Sequence, residues 1–253
     1  MIRISIIIIT WNQKENLKNC LNSLLNHCAN NIYEIILINN NSTDGSKEIM
    51  DSYIFNPLFK FIHNDFNKGV SAARNQGLKV ATGDFILLLD DDTIITNNFI
   101  EKMQNHIEDT KNIGIIAPAL YNPDGSIQPS ARVFPSIRSI LVRAFPLVFT
   151  SKYYKKIIYG KVGGNVITDV DWVIGACQFI NAEAIKMIGY LDEGYFFGYE
   201  DIDYCQRVKK LDFRIIYNPE ISIVHIYQRK SAKRIFSMMK YSSICSFCKK
   251  TLL

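Results

Sequence analysis

No uncharged apolar run of about 18 residues or more occurs in this chain, so no helix is expected to cross a bilayer. No leader is expected either. Met1-Ile-Arg-Ile-Ser enters a strand pattern at once, and the chain is read as neither secreted nor threaded through a membrane. No disulfide framework is evident: the six cysteines, Cys20, Cys28, Cys177, Cys205, Cys245 and Cys248, are scattered in mostly apolar surroundings and read as reduced cytosolic thiols. Cys245 and Cys248 have a CxxC spacing, but no second pair or histidine completes a zinc site. No internal repeat or low-complexity linker divides the 253 residues, enough for one large α/β core, and 48% apolar content is ordinary for a globular enzyme. The net charge of +5 comes without a nucleic-acid-binding motif, so no nucleic-acid partner is expected.

What the sequence does have is an apolar run that ends in three adjacent carboxylates, Phe85-Ile-Leu-Leu-Leu-Asp90-Asp91-Asp92-Thr93. A strand places residues two apart on one side, so Asp90 and Asp92 can face one site while Asp91 turns away. Carboxylate oxygens suit Mg²⁺ or Mn²⁺. The alternative is a solvated acidic turn with Asp92 capping a helix.

Ile4–Ile9, Tyr33–Ile38 and Phe85–Leu89 read as buried strands, with helical patterns between them. Asn12 with Glu15 forms a cap before Leu17, Cys20, Leu21, Leu24 and Leu25; Asp44 or Ser46 opens a second helix; Gly69 to Ala81 forms a third, ended by Gly83. The alternation predicts βαβ units, right-handed crossovers and a parallel sheet. Ligands of such sheets bind beyond the carboxyl ends of the strands, where Thr10-Trp11-Asn12, Asn39 to Asp44 and Asp90 to Asp92 fall.

Six ordered segments carry a resemblance: Ile9-Thr10-Trp11-Asn12, Asn39 to Ser46, Asn67 to Gly77, Leu89 to Asp92, Trp172 to Ala176 and Gly198 to Asp203. Together they resemble inverting nucleotide-sugar glycosyltransferases of family 2 with the GT-A fold, and in particular the bacterial rhamnosyltransferase-like branch. The resemblance spans roughly residues 3 to 228 and implies a mixed, mainly parallel central sheet. It divides the domain 1–228 into a nucleotide-sugar-binding half, 1–118, and an acceptor-binding half, 119–228.

The resemblance also implies residue roles. Thr10, Trp11, Asn12, Asn39 and Asn41 would meet the base and ribose, and Lys68, Gly69, Arg74, Asp90 and Asp91 the nucleotide and diphosphate, with Gly69 letting the backbone approach. Gly69 could equally start a helix, and Arg74 pair with a surface carboxylate. The family usually has Asp where this chain has Asn39, which leaves the choice between UDP- and dTDP-sugars, and pyrimidine itself, open. Asp92, Asp90 and His225 would hold Mg²⁺ or Mn²⁺. Asp201 would be the general base that deprotonates the acceptor hydroxyl, with Glu200 as fallback. Without chemistry, acidic residues there favour a helix N-terminus, the role expected of Asp203. Trp172, Gly175, Ala176 and Tyr199 would shape the donor and acceptor pocket, and Tyr195 to Tyr199 would form an aromatic acceptor platform or core. His27, His63 and His106 are given no role.

Two stretches mix basic and apolar residues: Arg132 to Lys161, and the tail 229–253, with Lys230, Lys233 and Arg234 against Ile235 and Phe236. Both suit a helix lying on an anionic membrane surface, or a homodimer contact. The expected function is transfer of a sugar, with rhamnosyl as a candidate, from a nucleoside diphosphate donor to a glycan or polyprenyl-linked acceptor. The enzyme would work in the cytoplasm, peripherally on the inner face of the cell membrane. A nucleotidyltransferase is the rival, but the loop Thr10-Trp11-Asn12-Gln13 after the first strand lacks that class's glycine-rich phosphate loop. A non-catalytic sugar-nucleotide binder is the other.

Overall fold

The computed structural model describes residues 2–28, 32–108, 112–134 and 166–226, and most of both basic stretches, with Cys245 and Cys248, lies outside them. The described elements run β1 (Ile4–Thr10), α1 (Lys14–Cys28), β2 (Glu34–Asn39), α2 (Ser46–Asp51), β3 (Phe59–His63), α3 (Val70–Val80), β4 (Phe85–Asp90), β5 (Thr93–Ile94) and α4 (Phe99–Glu108). They continue with β6 (Ile113–Tyr121), β7 (Ile127–Gln128), β8 (Ala131–Arg132), β9 (Thr168–Asp169), β10 (Trp172–Val173) and β11 (Cys177–Asn181). Last come α5 (Ala182–Ile188), α6 (Glu200–Lys210) and β12 (Arg214–His225). No described helix is long and apolar enough to cross a membrane.

The main sheet has the order β3-β2-β1-β4-β11-β6-β12-β5. Its first four strands are parallel, β11 runs antiparallel between β4 and β6, and β12 lies parallel to β6. The sequence boundary at 118 falls inside β6, so the two halves share one sheet. Strand side chains alternate between two cores: Ile6, Ile8, Leu37 and Leu87 pack with α1 and α4, while Ile7, Ile36, Ile38 and Leu88 pack with α3 and α6. Each such side chain is worth about 1.5–3 kcal/mol when fully buried. Cys20, Cys177 and Cys205 are buried free thiols within these layers.

Three expectations of local structure change. Asn12 does not cap α1: its Oδ1 accepts from Thr43 N–H at 2.7 Å, and the Lys14 N–H is taken by Asp44 Oδ2 at 2.8 Å. The first two strand-end loops are thereby tied together. Gly83 does not end α3, which stops at Val80; a Cβ at Gly83 would lie 2.7 Å from Ser5 N, so the glycine admits the neighbouring strand. The edge strand β3 had no counterpart in the expected elements.

Candidate active site

Parallel pairing brings the ends of three strands level, with Thr10 opposite Asn39 and Ile9 opposite Asp90. A cavity of about 760 Å³ opens beyond them, walled by Trp11, Asn40, Asp90 to Asp92, Gly175, Ala176, Glu200, Asp201 and His225 among others.

At its floor the pleat separates the three carboxylates. Asp91 turns inward, 8% exposed, and burial pushes its carboxyl well above the usual range. Asp90 and Asp92 face the cavity. β5 pairs antiparallel with the end of β12, setting His225 opposite Thr93, and Ile226 N–H donates to the Asp92 carbonyl at 2.7 Å. That register puts His225 Nε2 3.2 Å from Asp92 Oδ1. Donor atoms of Asp90, Asp92 and His225 all lie within 4.8 Å of one another. Burial pulls the His225 pKa down, but the hydrogen bond and charge of Asp92, helped by Asp90, outweigh it and leave the pKa raised. Burial raises the Asp90 pKa against the charge of Arg74. Two carboxylates and one imidazole converging at the floor of the cavity are a donor set suited to Mn²⁺ or Mg²⁺, and the residues fit such a cation.

Arg74, 5% exposed, is a strut between the floor and the opposite wall. Its Nη2 donates to Asp90 Oδ1 at 2.7 Å and to the Gly175 carbonyl at 2.8 Å, while Nη1 lies 3.7 Å from Glu200 Oε1. A Cβ at Gly175 would lie 2.6 Å from Nη1, so a side chain there would displace the guanidinium from this position. The partners line the cavity: Glu200 is nearly buried, while the Asp90 side chain is 39% exposed towards it.

The opposite wall is the start of α6. Tyr199 takes a left-handed conformation, φ 73°, immediately before it, aiming Glu200 and Asp201 inward. Asp201 Oδ1 accepts its neighbour Ile202's N–H at 2.8 Å, and Oδ2 accepts Gly175 N–H at 3.2 Å. Burial raises its pKa. Glu200 is more enclosed: burial and then the charge of Asp201 push its pKa up to about 7, and its Oε2 has no hydrogen-bond partner. Asp203 pairs with Arg207 at 2.9 Å, one turn along the helix.

Several residues expected at the ligand also have structural partners. Asn39, 4% exposed, accepts Ser42 N–H on its Oδ1 at 2.8 Å, and Thr10 is 1% exposed. Asn41 sits in a left-handed turn, φ 64°. Gly69 is the N-cap of α3 with φ 81°, and the backbone it lets in is Phe196, whose carbonyl would lie 2.6 Å from a Cβ. Lys68 stacks its ammonium over Phe66, 5.5 Å from the ring centre. Trp172 is 5% exposed; its indole N–H donates to the Val133 carbonyl at 2.9 Å and Arg132 covers its ring, so it supports the wall from behind. Of the aromatic lead-in, Phe196 and Phe197 line the cavity while Tyr195 is fully buried.

Sequence reasoning passed over three groups, and placed Asn40 only as part of the 39–41 nucleotide loop. Asn40 lines the cavity and joins Asn64, Asn67 and Gln76 in a network of amide hydrogen bonds that holds the 64–69 turn. The density of Asn in that stretch is the one signal that could have revealed it. Arg132 lines the cavity beside Asp201. Gln128 touches His225, and Glu34 is buried among hydrogen bonds beneath the sheet; nothing in the sequence marked either.

The family model described as Glycosyl transferase family 2 matches residues 5–173. Glycosyltransferase GlyG of Streptococcus pneumoniae serotype 4 is 32% identical over 124 residues, covering 49% of this chain and 40% of its own length. The N-acetylglucosaminyl-diphospho-decaprenol L-rhamnosyltransferase of Mycobacterium tuberculosis is 23% identical over 238 residues, covering 87% of this chain and 75% of its own. A crystal structure of GalNAc-T7 with UDP, GalNAc and Mn²⁺ matches with a TM-score of 0.69 at 18% identity, over 91% of this chain and 45% of that one, and shares the GT-A fold. This chain belongs to glycosyl transferase family 2.

Proposed function

We propose that the chain transfers a glycosyl group from a nucleoside diphosphate sugar to an acceptor hydroxyl, with inversion at the anomeric carbon and with Mg²⁺ or Mn²⁺. One observation carries this: a cation-fitting cluster of Asp90, Asp92 and His225 and a carboxylate pair, Glu200 and Asp201, wall a single cavity at the ends of parallel strands. Bound by the cluster, the cation would act as a Lewis acid on the leaving diphosphate. Asp201 accepts the proton of the acceptor hydroxyl as the new C–O bond forms and the bond to the diphosphate oxygen breaks. Its two backbone hydrogen bonds fix its carboxylate in direction, as a base must be fixed. Arg74 holds Asp90 and the wall of α6 at a set spacing. A single displacement needs one base and no nucleophile.

The donor class is a UDP- or dTDP-sugar, and rhamnosyl is favoured by the likeness to the mycobacterial rhamnosyltransferase. The acceptor is a glycan or a polyprenyl-linked sugar met at the inner face of the membrane, where the basic stretches would hold the enzyme peripherally. Nucleotide sugars screened for diphosphate release with and without Mn²⁺ test the reaction. Pyrophosphate from a nucleoside triphosphate and a sugar phosphate would mark a nucleotidyltransferase, and binding without release a non-catalytic binder. Sedimentation with anionic vesicles at low salt tests the membrane reading; protein that stays in the supernatant leaves the stretches as packing or homodimer surface.

A further inference from the structure

His225 has a second face, away from the carboxylates. Its Nδ1 lies 2.8 Å from Oε1 of Gln128, at the end of β7. An amide can present oxygen or NH₂ to a neighbour, but a chain of hydrogen bonds through the hairpin between β6 and β7 leaves this one no choice. The Ser126 hydroxyl donates to Asp124 Oδ1 at 2.6 Å, so it can only accept from Asn122 Nδ2, 2.8 Å away. With its NH₂ committed there, Asn122 turns Oδ1 to Gln128, whose Nε2 donates to it at 2.7 Å and to the His225 carbonyl at 2.7 Å. Gln128 therefore faces the imidazole with oxygen. An oxygen there demands hydrogen on Nδ1, so Nε2, the atom 3.2 Å from Asp92, is left to offer its lone pair once a cation replaces the proton it shares with that carboxylate.

We infer that Gln128 is a positioning residue that fixes the orientation and tautomer of His225, so that Nε2 offers its lone pair to the cation held with Asp90 and Asp92. The inference rests on the metal reading of that cluster. It assigns a purpose to the hairpin 122–128, whose polar side chains Asn122, Asp124, Ser126 and Gln128 form one relay ending on the imidazole. Gln128 need touch neither substrate nor cation. Partners that orient a ligating histidine in this way typically matter 10–100-fold, roughly, in metal affinity.

Two measurements on the full chain separate this inference from the reading beneath it. The first is ¹⁵N NMR of histidine-labelled protein loaded with diamagnetic Mg²⁺ and UDP, where the cation, and not a proton shared with Asp92, faces Nε2. The wild type should show the Nδ1–H form, Gln128→Leu should lose that preference, and Gln128→Glu, which restores an oxygen facing Nδ1, should regain it. Asp124→Asn, in the exposed hairpin, should loosen the preference without entering the cavity. The second is the EPR signal of free Mn²⁺ titrated with UDP present, where Gln128→Leu should weaken binding by about 10–100-fold and Gln128→Glu should recover most of it. An Nε2–H ring in the wild type, or a Gln128→Leu protein that keeps both the tautomer and the Mn²⁺ affinity, overturns the inference. Wild-type protein that never takes up Mn²⁺ sinks the metal reading itself, whatever the tautomer.

Discussion

Asp92 meets His225 on one side and the cavity on the other, while Asp90 has one oxygen committed to Arg74. Asp92 is thus the carboxylate of the pair that no guanidinium neutralises. Asp92→Asn keeps the shape and removes the charge. Turnover should fall by about 100-fold or more, the factor that several kcal/mol of lost charge stabilisation implies, and excess Mn²⁺ should rescue it poorly. Near-normal metal-dependent turnover in that variant would refute the assignment. Asp201 and Glu200 differ in kind, although they are adjacent. Asp201 is aimed by Gly175 N–H and Ile202 N–H, whereas Glu200 is wedged against Arg74. Asp201→Asn should lower kcat by about 100- to 10,000-fold while calorimetry still finds nucleoside diphosphate binding with metal. Retained turnover would hand the base role to Glu200, whose pKa of about 7 suits it; lost nucleotide affinity would place Asp201 in the metal shell.

At the scale of elements, α3 does most of the assembling. Val70 N–H and Ser71 Oγ hold the Phe196 and Tyr195 carbonyls, at 2.8 and 2.7 Å, and Asn75 bonds both the N–H and the carbonyl of Leu191. Gly77 admits Ile7 of β1. One helix therefore joins the parallel sheet to the segment that leads into α6. Gly69→Ala should strain this joint twice, through its φ of 81° and through a Cβ 2.6 Å from a backbone carbonyl. A loss of about 1–3 kcal/mol in denaturant unfolding is expected, together with reduced turnover as the 195–199 turn shifts. Stability within about 0.5 kcal/mol of wild type would show that the joint yields. The motif from Asn67 to Gly77 was visible in the sequence, but its contacts were not, because they reach across more than a hundred residues. The apolar runs that became β1, β2 and β4 were equally plain, since strands buried on both faces need uninterrupted side chains. β3 escaped because this short edge strand has neither an unbroken apolar run nor clean alternation: Lys60 and His63 are exposed and Phe61 and Ile62 only half-buried. The meeting of Asp92 with His225 depends on the register of β5 against β12, which no local pattern encodes.

Across the whole molecule, carboxylates at opposite ends of the sheet should pull stability in opposite directions with pH. Below the sheet Glu34, its side chain 6% exposed, accepts Ser5 Oγ at 2.6 Å and Thr82 N–H at 2.7 Å, and pairs with Lys60. Burial alone would raise its pKa, but the bonds from Lys60, Ser5 and Thr82 outweigh that and lower it. A lowered folded pKa means the unfolded chain binds the proton more readily, so this contribution is present above the unfolded pKa and is lost as pH falls through the folded one. Around the cavity the sign is reversed. Glu200 is raised to about 7 from 4.5, so the metal-free folded protein binds the proton more readily, and its share of stability is lost as pH rises from about 4.5 through 7. The metal-free protein should therefore gain thermal stability as pH is lowered from 8 to about 6, then lose it in the acid limb as Glu34 and the other paired carboxylates protonate. Glu200→Gln should flatten the first slope, and Glu34→Gln should cost about 1–3 kcal/mol at neutral pH and weaken the second. Melting temperatures of the three proteins across that range decide the matter: a wild-type Tm that climbs steadily to pH 8, unchanged by Glu200→Gln, would mean that Glu200 is not held neutral by its surroundings.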